Sequence, residues 1–590
     1  MPPWDVSANS AVSDLASSGC ELHSCTQILT INLEDYFQAG VFHRYISPRN
    51  WYRFESRLQK NTEDTLQLLS DHKTHATFFV LGWIADKYPE LVRQICSAGH
   101  EIASRGFIHQ PLLKLSPEAR QEDLRRSKET LEDTIGQEVR GFRLSDGWLS
   151  RADLGFLDEL MQAGYQYDSS LMPRHREFLS QPWRRFIHVH ESGAGRIVEI
   201  PPSTMSVAGA WMPVAGGNYI RQFPTRMMNA VIERCQKNEL APFVMYFQVW
   251  ELDDQQPRLN VISRMATVRH YRNLGKYRQL LPRFLKAARF TSIAEHSLLP
   301  SSPLAELSST AFSDTSKRTM WRERQRGPSS VSPYIADPRQ RSYRRPAVTL
   351  VIPCYNEEAS LPYLHRTMQS LRHELSRSWD LKLLFVDDCS KDNTREVLAS
   401  LFGNDPDVRI VSHYSNQGVS AGILTGIRAS NTDVVASIDA DCSYDPHELV
   451  RMLQLLTNDV AMVTASPYHP DGRVCNVPGW RLILSHTLSR LYRRLLGNSL
   501  STWTSCFRVY RKQQIVDLDL KETGFLGTAE LAAQLCLHGR KIVEHPATLE
   551  VRLFGFSKMK TVRTILAHLR LLTSVAAVKW RGSCGEENRS

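Results

Sequence analysis

Two carboxylates spaced i, i+2, Asp439 and Asp441, close the largely β-branched apolar run Val434-Val435-Ala436-Ser437-Ile438. That spacing puts both where a parallel strand ends. There they can share one divalent cation with a diphosphate, because hard Mg²⁺ or Mn²⁺ prefers carboxylate and phosphate oxygens to nitrogen or sulfur. Two earlier apolar runs also end on acids: Val348 to Ile352 leads into Pro353-Cys354-Tyr355-Asn356-Glu357-Glu358, and Leu383 to Val386 leads into Asp387-Asp388. Taken singly, Glu357, Glu358, Asp387 and Asp388 read as caps for free backbone N–H groups at helix starts. Taken together and in this order, they point to a nucleotide-sugar transferase. Asp392-Asn393-Thr394 is assigned to a cap alone.

The elements that must position these acids follow from the pattern. Helix-like segments separate the apolar runs, so the chain reads as a βαβαβ sheet with its carboxylates at strand carboxyl ends, where open α/β sheets bind ligands. Over roughly residues 346 to 582 these motifs resemble the family 2 glycosyltransferases of Rossmann-like GT-A fold, in the dolichol-phosphate mannose synthase-like branch. The resemblance implies that Pro353, Tyr355, Asn356, Glu357 and Asp387 hold the base and ribose of a UDP- or GDP-sugar. It places Asp439 and Asp441 on the metal, Mg²⁺ or Mn²⁺, and the diphosphate. Asn416-Gln417-Gly418 and Gly426 fit the family's helix-opening segment, with Val419 where a Lys is often found. Arg508 and Glu530 fit later motifs, and Gly555-Phe556-Ser557-Lys558 matches the segment that sits beside the donor or acceptor phosphate.

The implied reaction is direct displacement with inversion, in which the metal, Arg508 and Lys558 neutralise the leaving diphosphate. An acceptor phosphate is already anionic and needs no strong base. An acceptor hydroxyl needs a carboxylate to take its proton, and Asp445 and Glu530 are both candidates.

Two basic stretches bear on the acceptor. Trp480 to Leu496 alternates apolar and cationic residues at helical spacing, and Lys558 to Arg581 carries six Lys and Arg without an acid. Helices of this kind lie on anionic membrane surfaces, where a polyprenyl phosphate would be met; the alternative is a helix packed on the sheet with a solvated basic face. No run reaches the roughly 18 apolar residues of a spanning helix. The first 26 residues hold Asp5, Asp14 and Glu21 without an apolar core segment, unlike a secretory signal. Eleven cysteines without a Cys-x-x-Cys pair point to reduced thiols. The expectation is a cytoplasmic protein, peripheral at the inner face of the plasma membrane. Its net charge of +10 fits anionic partners, nucleotide-sugars and acidic lipids, and no nucleic-acid motif is present.

With 590 residues, 42% of them hydrophobic, the chain holds more than one core. Residues 300–345, rich in Ser, Pro and Arg, read as a linker, with 1–26 a disordered start and 583–590 a tail. Residues 27–299 alternate strand-like runs such as Ala76 to Leu81 with helical stretches and suggest an α/β barrel. Their motifs resemble the NodB-like polysaccharide deacetylases, most closely the branch of bacterial exopolysaccharide clusters, and imply a distorted (β/α) barrel. The carrying residues are Asn32-Leu33-Glu34-Asp35-Tyr36-Phe37, Thr77 to Trp83, Gly99 to Ser104, Tyr167 to Ser170, Glu199 to Thr204 and Trp250 to Asp253.

In that family an acid and two His at i, i+4 hold a metal, an Asp is the base and a late His the acid. Here Arg105 replaces the first His, leaving His109; Asn32 stands for the Asp, and Gln248 for the late His. A guanidinium cannot ligate a cation, and neither amide can act as base or acid at neutral pH. The domain is therefore expected to lack deacetylase activity and to serve structure or carbohydrate binding, with Arg143, Asp168 and Trp250 as matching pocket residues. The alternatives are a metal held differently by Glu34, Asp35 and His109 in a bifunctional enzyme, or a scaffold in which neither site turns over.

Overall fold

The computed structural model of the chain describes residues 26–172, 178, 180–207, 210–223, 226–227, 230, 242–296, 345–476, 479–555 and 567–577. The expected N-terminal stretch, linker and tail lie outside these residues except for Thr26 and Arg345, and Lys558 lies outside them too. Chain contacts divide it into two compact units: residues 1–43, 56–256 and 263–309, and residues 44–55, 257–262 and 310–590.

The first unit is built on a nine-stranded sheet. In chain order its strands are β1 (Gln27–Leu33), β2 (Thr77–Val80), β3 (Glu101–Ser104), β4 (Gly141–Phe142), β5 (Tyr167–Asp168), β6 (His188–Ser192) and β7 (Gly195–Glu199), while β8 (Thr204–Val207) and β9 (Ala210–Pro213) form a separate hairpin. The sheet is completed by β10 (Val244–Gln248) and β11 (Phe290–Thr291) in the order β10-β1-β2-β3-β4-β5-β7-β6, with β11 also on β1. All pairs are parallel except β6 with β7. Every residue of β1 is buried, as a parallel strand covered on both faces requires. The recorded pairings form a path whose two ends do not pair among the described residues, so the layer is α/β, but closure into a barrel is not seen. Register aligns Asn32 with Gln248 and Phe79, Val80 with Ser104, and Ser104 with Phe142. Asn32, Arg105, Arg143 and Gln248 therefore share one end of the sheet.

The second unit contains β12 (Ala347–Cys354), β13 (Asp380–Asp387), β14 (Val408–Ser412), β15 (Val434–Ser437), β16 (Val460–Ser466), β17 (Arg473–Val474), β18 (Arg508–Arg511), β19 (Lys541–Pro546) and β20 (Thr548–Leu549). Seven of them form one sheet in the order β14-β13-β12-β15-β18-β16-β19, with β18 antiparallel to both neighbours. Alternation along β12 makes two cores. Val348, Leu350 and Ile352 face the helix Leu361–Leu375, while Val351 faces Ile423 and Ile427 of the helix Val419–Ala429. The chain moves outward from β12 to β14 on one side and then places β15 on the other. That reversal opens a crevice at the carboxyl ends of β12 and β15.

The helix Val419–Ala429 lies so close to β12 that a Cβ on Gly426 would meet Val351 Cγ1 at 2.2 Å. Gly426→Ala is expected to destabilise this unit by about 1–3 kcal/mol through overpacking, read as a lowered thermal midpoint.

Candidate functional sites

In the first unit, the end of the sheet holding Asn32 opens on a cavity of about 410 Å³. Its chemistry is set by ion pairs. Glu34 is buried and bonded to the Arg105 guanidinium, with His109 Nε2 at 3.4 Å and Trp250 Nε1 donating at 3.3 Å. Burial favours the neutral acid, but Arg105 and His109 outweigh it and hold the Glu34 carboxyl at about 2. Arg105 also donates to the Ser145 carbonyl at 3.0 Å. Arg143 donates to Asn32 Oδ1 at 3.1 Å, Thr30 Oγ1 at 3.0 Å and Ser169 Oγ at 2.8 Å, and lies 4.0 Å from the Phe79 ring centre. Burial, together with the positive charge of Arg105, pushes Arg143 down to about 9.

Asp35 takes no part in this cluster. Its carboxylate accepts from Tyr36 N at 2.9 Å, Ser56 Oγ at 2.8 Å and Arg57 N at 3.0 Å, and caps the turn Tyr36–Gln38. Gln248 caps the turn Val249–Leu252 with Glu251, which pairs with Arg221 at 2.9 Å. Asp168 is buried and bonded to Ser170. The sequence reading missed Arg221, Tyr219, Tyr246 and Trp148 in the cavity wall. None lies in a motif, so no local signal marks them.

Trp250 stacks on His270 at 4.2 Å, and burial followed by the charge of Arg221 pushes His270 down to about 3. An unfolded His titrates near 6.5, so between 6.5 and 3 the unfolded chain binds a proton that the folded unit refuses. This contribution to stability is whole above pH 6.5 and is lost as pH falls towards 3. The thermal midpoint of the unit is expected to fall below pH 6.5, and less steeply in His270→Gln.

In the second unit, three non-glycine residues take left-handed backbone where three parallel strands end: Asn356 (φ 52°) after β12, Cys389 (φ 60°) after β13 and Cys442 (φ 53°) after β15. Such conformations persist only where surrounding bonds impose them. Here Asn356 N donates to Ser390 Oγ at 2.9 Å, Ser390 N to Asp387 Oδ1 at 3.2 Å, and Lys391 N to Asn356 Oδ1 at 2.7 Å. The neighbouring Asp388 accepts from Gln417 N and Gly418 N at 2.8 and 2.7 Å and so fixes the turn that leads into the helix Val419–Ala429. Glu357 N donates to Thr394 Oγ1 at 2.7 Å, and Asp392 accepts from Thr394 N at 3.1 Å at the start of the helix Thr394–Phe402. Pro353 and Tyr355, both partly buried, flank Cys354 on the same strand end.

Asp439 and Asp441 project beyond β15 beside Glu357. Burial, with the negative charge of Asp441 adding to it, pushes Asp439 up to about 7. Asp441 accepts from Ser443 N at 2.9 Å and Ser443 Oγ at 2.7 Å. Arg552 bonds to Glu357 and lies 3.6 Å from Asp441. It thus joins the end of β12 to the end of β15.

A glycosyl transferase family 2 model matches residues 349–517, a polysaccharide deacetylase model residues 49–167, and a domain of unknown function (DUF3473) residues 169–297. Across 244 residues, 40% of this chain and 87% of the relative, the sequence is 31% identical to the polyprenol monophosphomannose synthase of Mycolicibacterium smegmatis. The chain belongs to glycosyl transferase family 2. It is also 30% identical to the undecaprenyl-phosphate mannosyltransferase of Micrococcus luteus, over 40% of this chain and 96% of that one. Among solved structures it is similar to glucosyl-3-phosphoglycerate synthase from Mycobacterium tuberculosis in complex with Mn²⁺, UDP and glucosyl-3-phosphoglycerate, at 17% identity over 40% and 81% of the two chains, with TM-score 0.31. The expected fusion of a polysaccharide deacetylase-like domain with a family 2 glycosyltransferase is what the chain contains.

Within the family 2 unit, the other residues singled out from sequence lie at different depths. Arg508, paired in register with Ser437, is fully buried and donates to the carbonyls of Thr528 at 2.6 Å and Trp503 at 2.8 Å. Glu530 is buried and accepts from Lys521 N and Glu522 N at 3.0 and 2.8 Å. Asp445 pairs with Arg53 at 2.7 Å, its side chain 44% exposed. Arg552, facing Glu357 and Asp441, went unnoticed in the sequence. Its signal was a cation three residues before Gly555, at the edge of a motif already recognised.

Among the described residues, no group of three or more His, Cys, Asp or Glu could hold a metal ion. Two carboxylates do fit Mg²⁺ or Mn²⁺ that takes its remaining oxygens from a diphosphate and water. A cation between Asp439 and Asp441 would also offset both the burial that raises Asp439 and the Asp441 charge that adds to it.

Proposed function

We propose that the family 2 unit transfers a hexose from a UDP- or GDP-sugar to a polyprenyl phosphate, with inversion and dependence on a divalent metal. The observation that carries this reading is the convergence of Glu357, Asp387, Asp439 and Asp441 at the crevice where strand order reverses. Asp439 and Asp441 would hold the cation. When bound, the cation supplies the charge neutralisation that the leaving diphosphate needs. Asp387 and the Asn356 turn fix the wall against which the nucleoside packs, and Arg552 offers a positive charge beside the two carboxylates.

A phosphate is favoured over a glycan hydroxyl as acceptor by the state of the two candidate bases. Glu530 accepts from the backbone N–H groups of Lys521 and Glu522, and the Asp445 carboxylate is engaged by the Arg53 guanidinium. A phosphate acceptor needs neither.

The acceptor would be met at a membrane surface. On the helix Gly479–Leu496, Tyr492 is buried against Trp503 while Arg490, Leu491, Arg493 and Arg494 are exposed. Exposed cations beside an apolar residue suit an anionic leaflet, in keeping with a peripheral protein at the inner face of the plasma membrane. Among the described residues no helix is long and apolar enough to cross a membrane.

For the first unit we infer a deacetylase-like domain without deacetylase activity, because Arg105 fills the space beside Glu34 with a fixed positive charge. Its ion-paired, aromatic-lined cavity suits a carbohydrate that is held and not hydrolysed.

The test is transfer from a panel of UDP- and GDP-sugars to a short polyprenyl phosphate with Mn²⁺, beside acetate release from N-acetylglucosamine oligomers. Transfer without acetate release is expected. Acetate release without transfer from any donor would reverse the assignment of the two units.

A further inference from the structure

The second compact unit contains two short segments far from it in sequence, residues 44–55 and 257–262. Both grip the stretch that carries Arg552. In the first segment, Trp51, Arg53 and Phe54 are buried while Tyr52 is exposed. The Phe54 ring meets Tyr363 edge-on at 5.0 Å and lies 6.2 Å from Phe554, and Tyr363 and Phe554 are 5.7 Å apart, so the three rings close on one another. The Phe554 carbonyl accepts from Arg552 Nε at 2.7 Å. In the second segment, Asn260 N donates to the Leu553 carbonyl at 2.9 Å and Asn260 Nδ2 to the Gly555 carbonyl at 3.2 Å. Those bonds bracket Phe554 and fix the left-handed turn at Gly555 (φ 67°). Arg53 adds its pair with Asp445, and Tyr52 Oη lies 3.0 Å from His447 Nε2.

We propose that Phe54 and Asn260 are positioning residues of the transferase site: they fix the backbone of residues 552–555, and through it aim the Arg552 guanidinium at Glu357 and Asp441, where the diphosphate of a nucleotide-sugar would bind. Each acts through Arg552, by way of the Phe554 ring and the carbonyls of Leu553 and Gly555. The long, flexible Arg side chain pays less entropy to bind an anion when its backbone and its Nε are already held. The inference rests on the transferase reading above.

The test uses the full chain with Mn²⁺ and UDP-glucose or GDP-mannose, whichever the wild type turns over. Asn260→Asp keeps size but replaces the donor to Gly555 with an acceptor, and Asn260 is exposed, so folding is retained. Phe54→Leu removes the ring contacts. Both variants are expected to raise the donor KM at least about fivefold while kcat stays within about twofold, a split that general loss of folded protein would not give, since that lowers kcat alone. Should Phe54→Leu fail to fold, Asn260→Asp decides. A donor KM in Asn260→Asp within about twofold of wild type, at unchanged thermal midpoint, overturns the proposal while leaving the transferase reading in place. No turnover by the wild type with any donor overturns both.

Discussion

Asp441→Asn is expected to lower transfer by at least about 10²–10³-fold in kcat while leaving the fold intact. The amide oxygen can still accept from Ser443 N and Ser443 Oγ, so the turn after β15 keeps its bonds. What disappears is the negative charge that a cation and Arg552 require. Removing one electrostatic group aimed at developing charge costs about 2.7–4 kcal/mol of transition-state stabilisation in well-studied cases, and the loss here includes affinity for the metal as well. Excess Mn²⁺ should restore part of the activity if weakened metal binding dominates. The comparison variant is Asp459→Asn, which breaks only an exposed pair with Lys541 and should transfer like wild type. Full activity in Asp441→Asn would remove Asp441 from the site.

The second large effect concerns stability. Arg105→Met strands the Glu34 carboxylate in a buried site with His109 and Trp250 as its remaining polar partners among the described residues. Breaking one side of a buried pair typically costs about 3–5 kcal/mol, because a desolvated charge is left uncompensated. For a unit of this size that is a fall of roughly 10 °C in its own unfolding midpoint. Arg105→Met combined with Glu34→Gln should recover much of the loss, since the uncompensated Glu34 charge is then gone. Differential scanning calorimetry of the full chain reads both. A midpoint in the single variant within about 2 °C of wild type would mean that Arg105 does not neutralise Glu34, and that the cavity is open to a cation after all.

How far the sequence reaches is clearest at β12 and β15. Apolar runs buried on both faces, with acids at their ends, depend on neighbours a few residues away, so strand and strand end are both local. The same holds for Asp392, whose side chain accepts the Thr394 N–H as Asp does at helix starts, whereas Asp388 accepts from Gln417 and Gly418, 29 and 30 residues away. The chemical limits of Asn32, Arg105 and Gln248 were legible too, because residue type alone restricts what a side chain can do to a proton or a metal. The hidden features were long-range. Arg508 opens β18 and reads as a cation facing ligand, but its partners are the carbonyls of Thr528 and Trp503. Asp35 stands next to Glu34 yet turns to Ser56 and Arg57, since the backbone at a strand end can send neighbouring side chains apart.

By itself, then, the amino-acid sequence determined two α/β units, the strand ends that carry acids, and the type of each group available for chemistry. Only the tertiary structure decided which groups meet. It set Arg105 on Glu34, Arg552 between Glu357 and Asp441, and residues 44–55 and 257–262 beside the loop at 552–555. The physical reason is that hydrogen bonding and apolar periodicity act over a few residues, whereas ion pairing and close packing depend on distance in space. Sheet order and register fix that distance, and in this chain they join residues hundreds of positions apart.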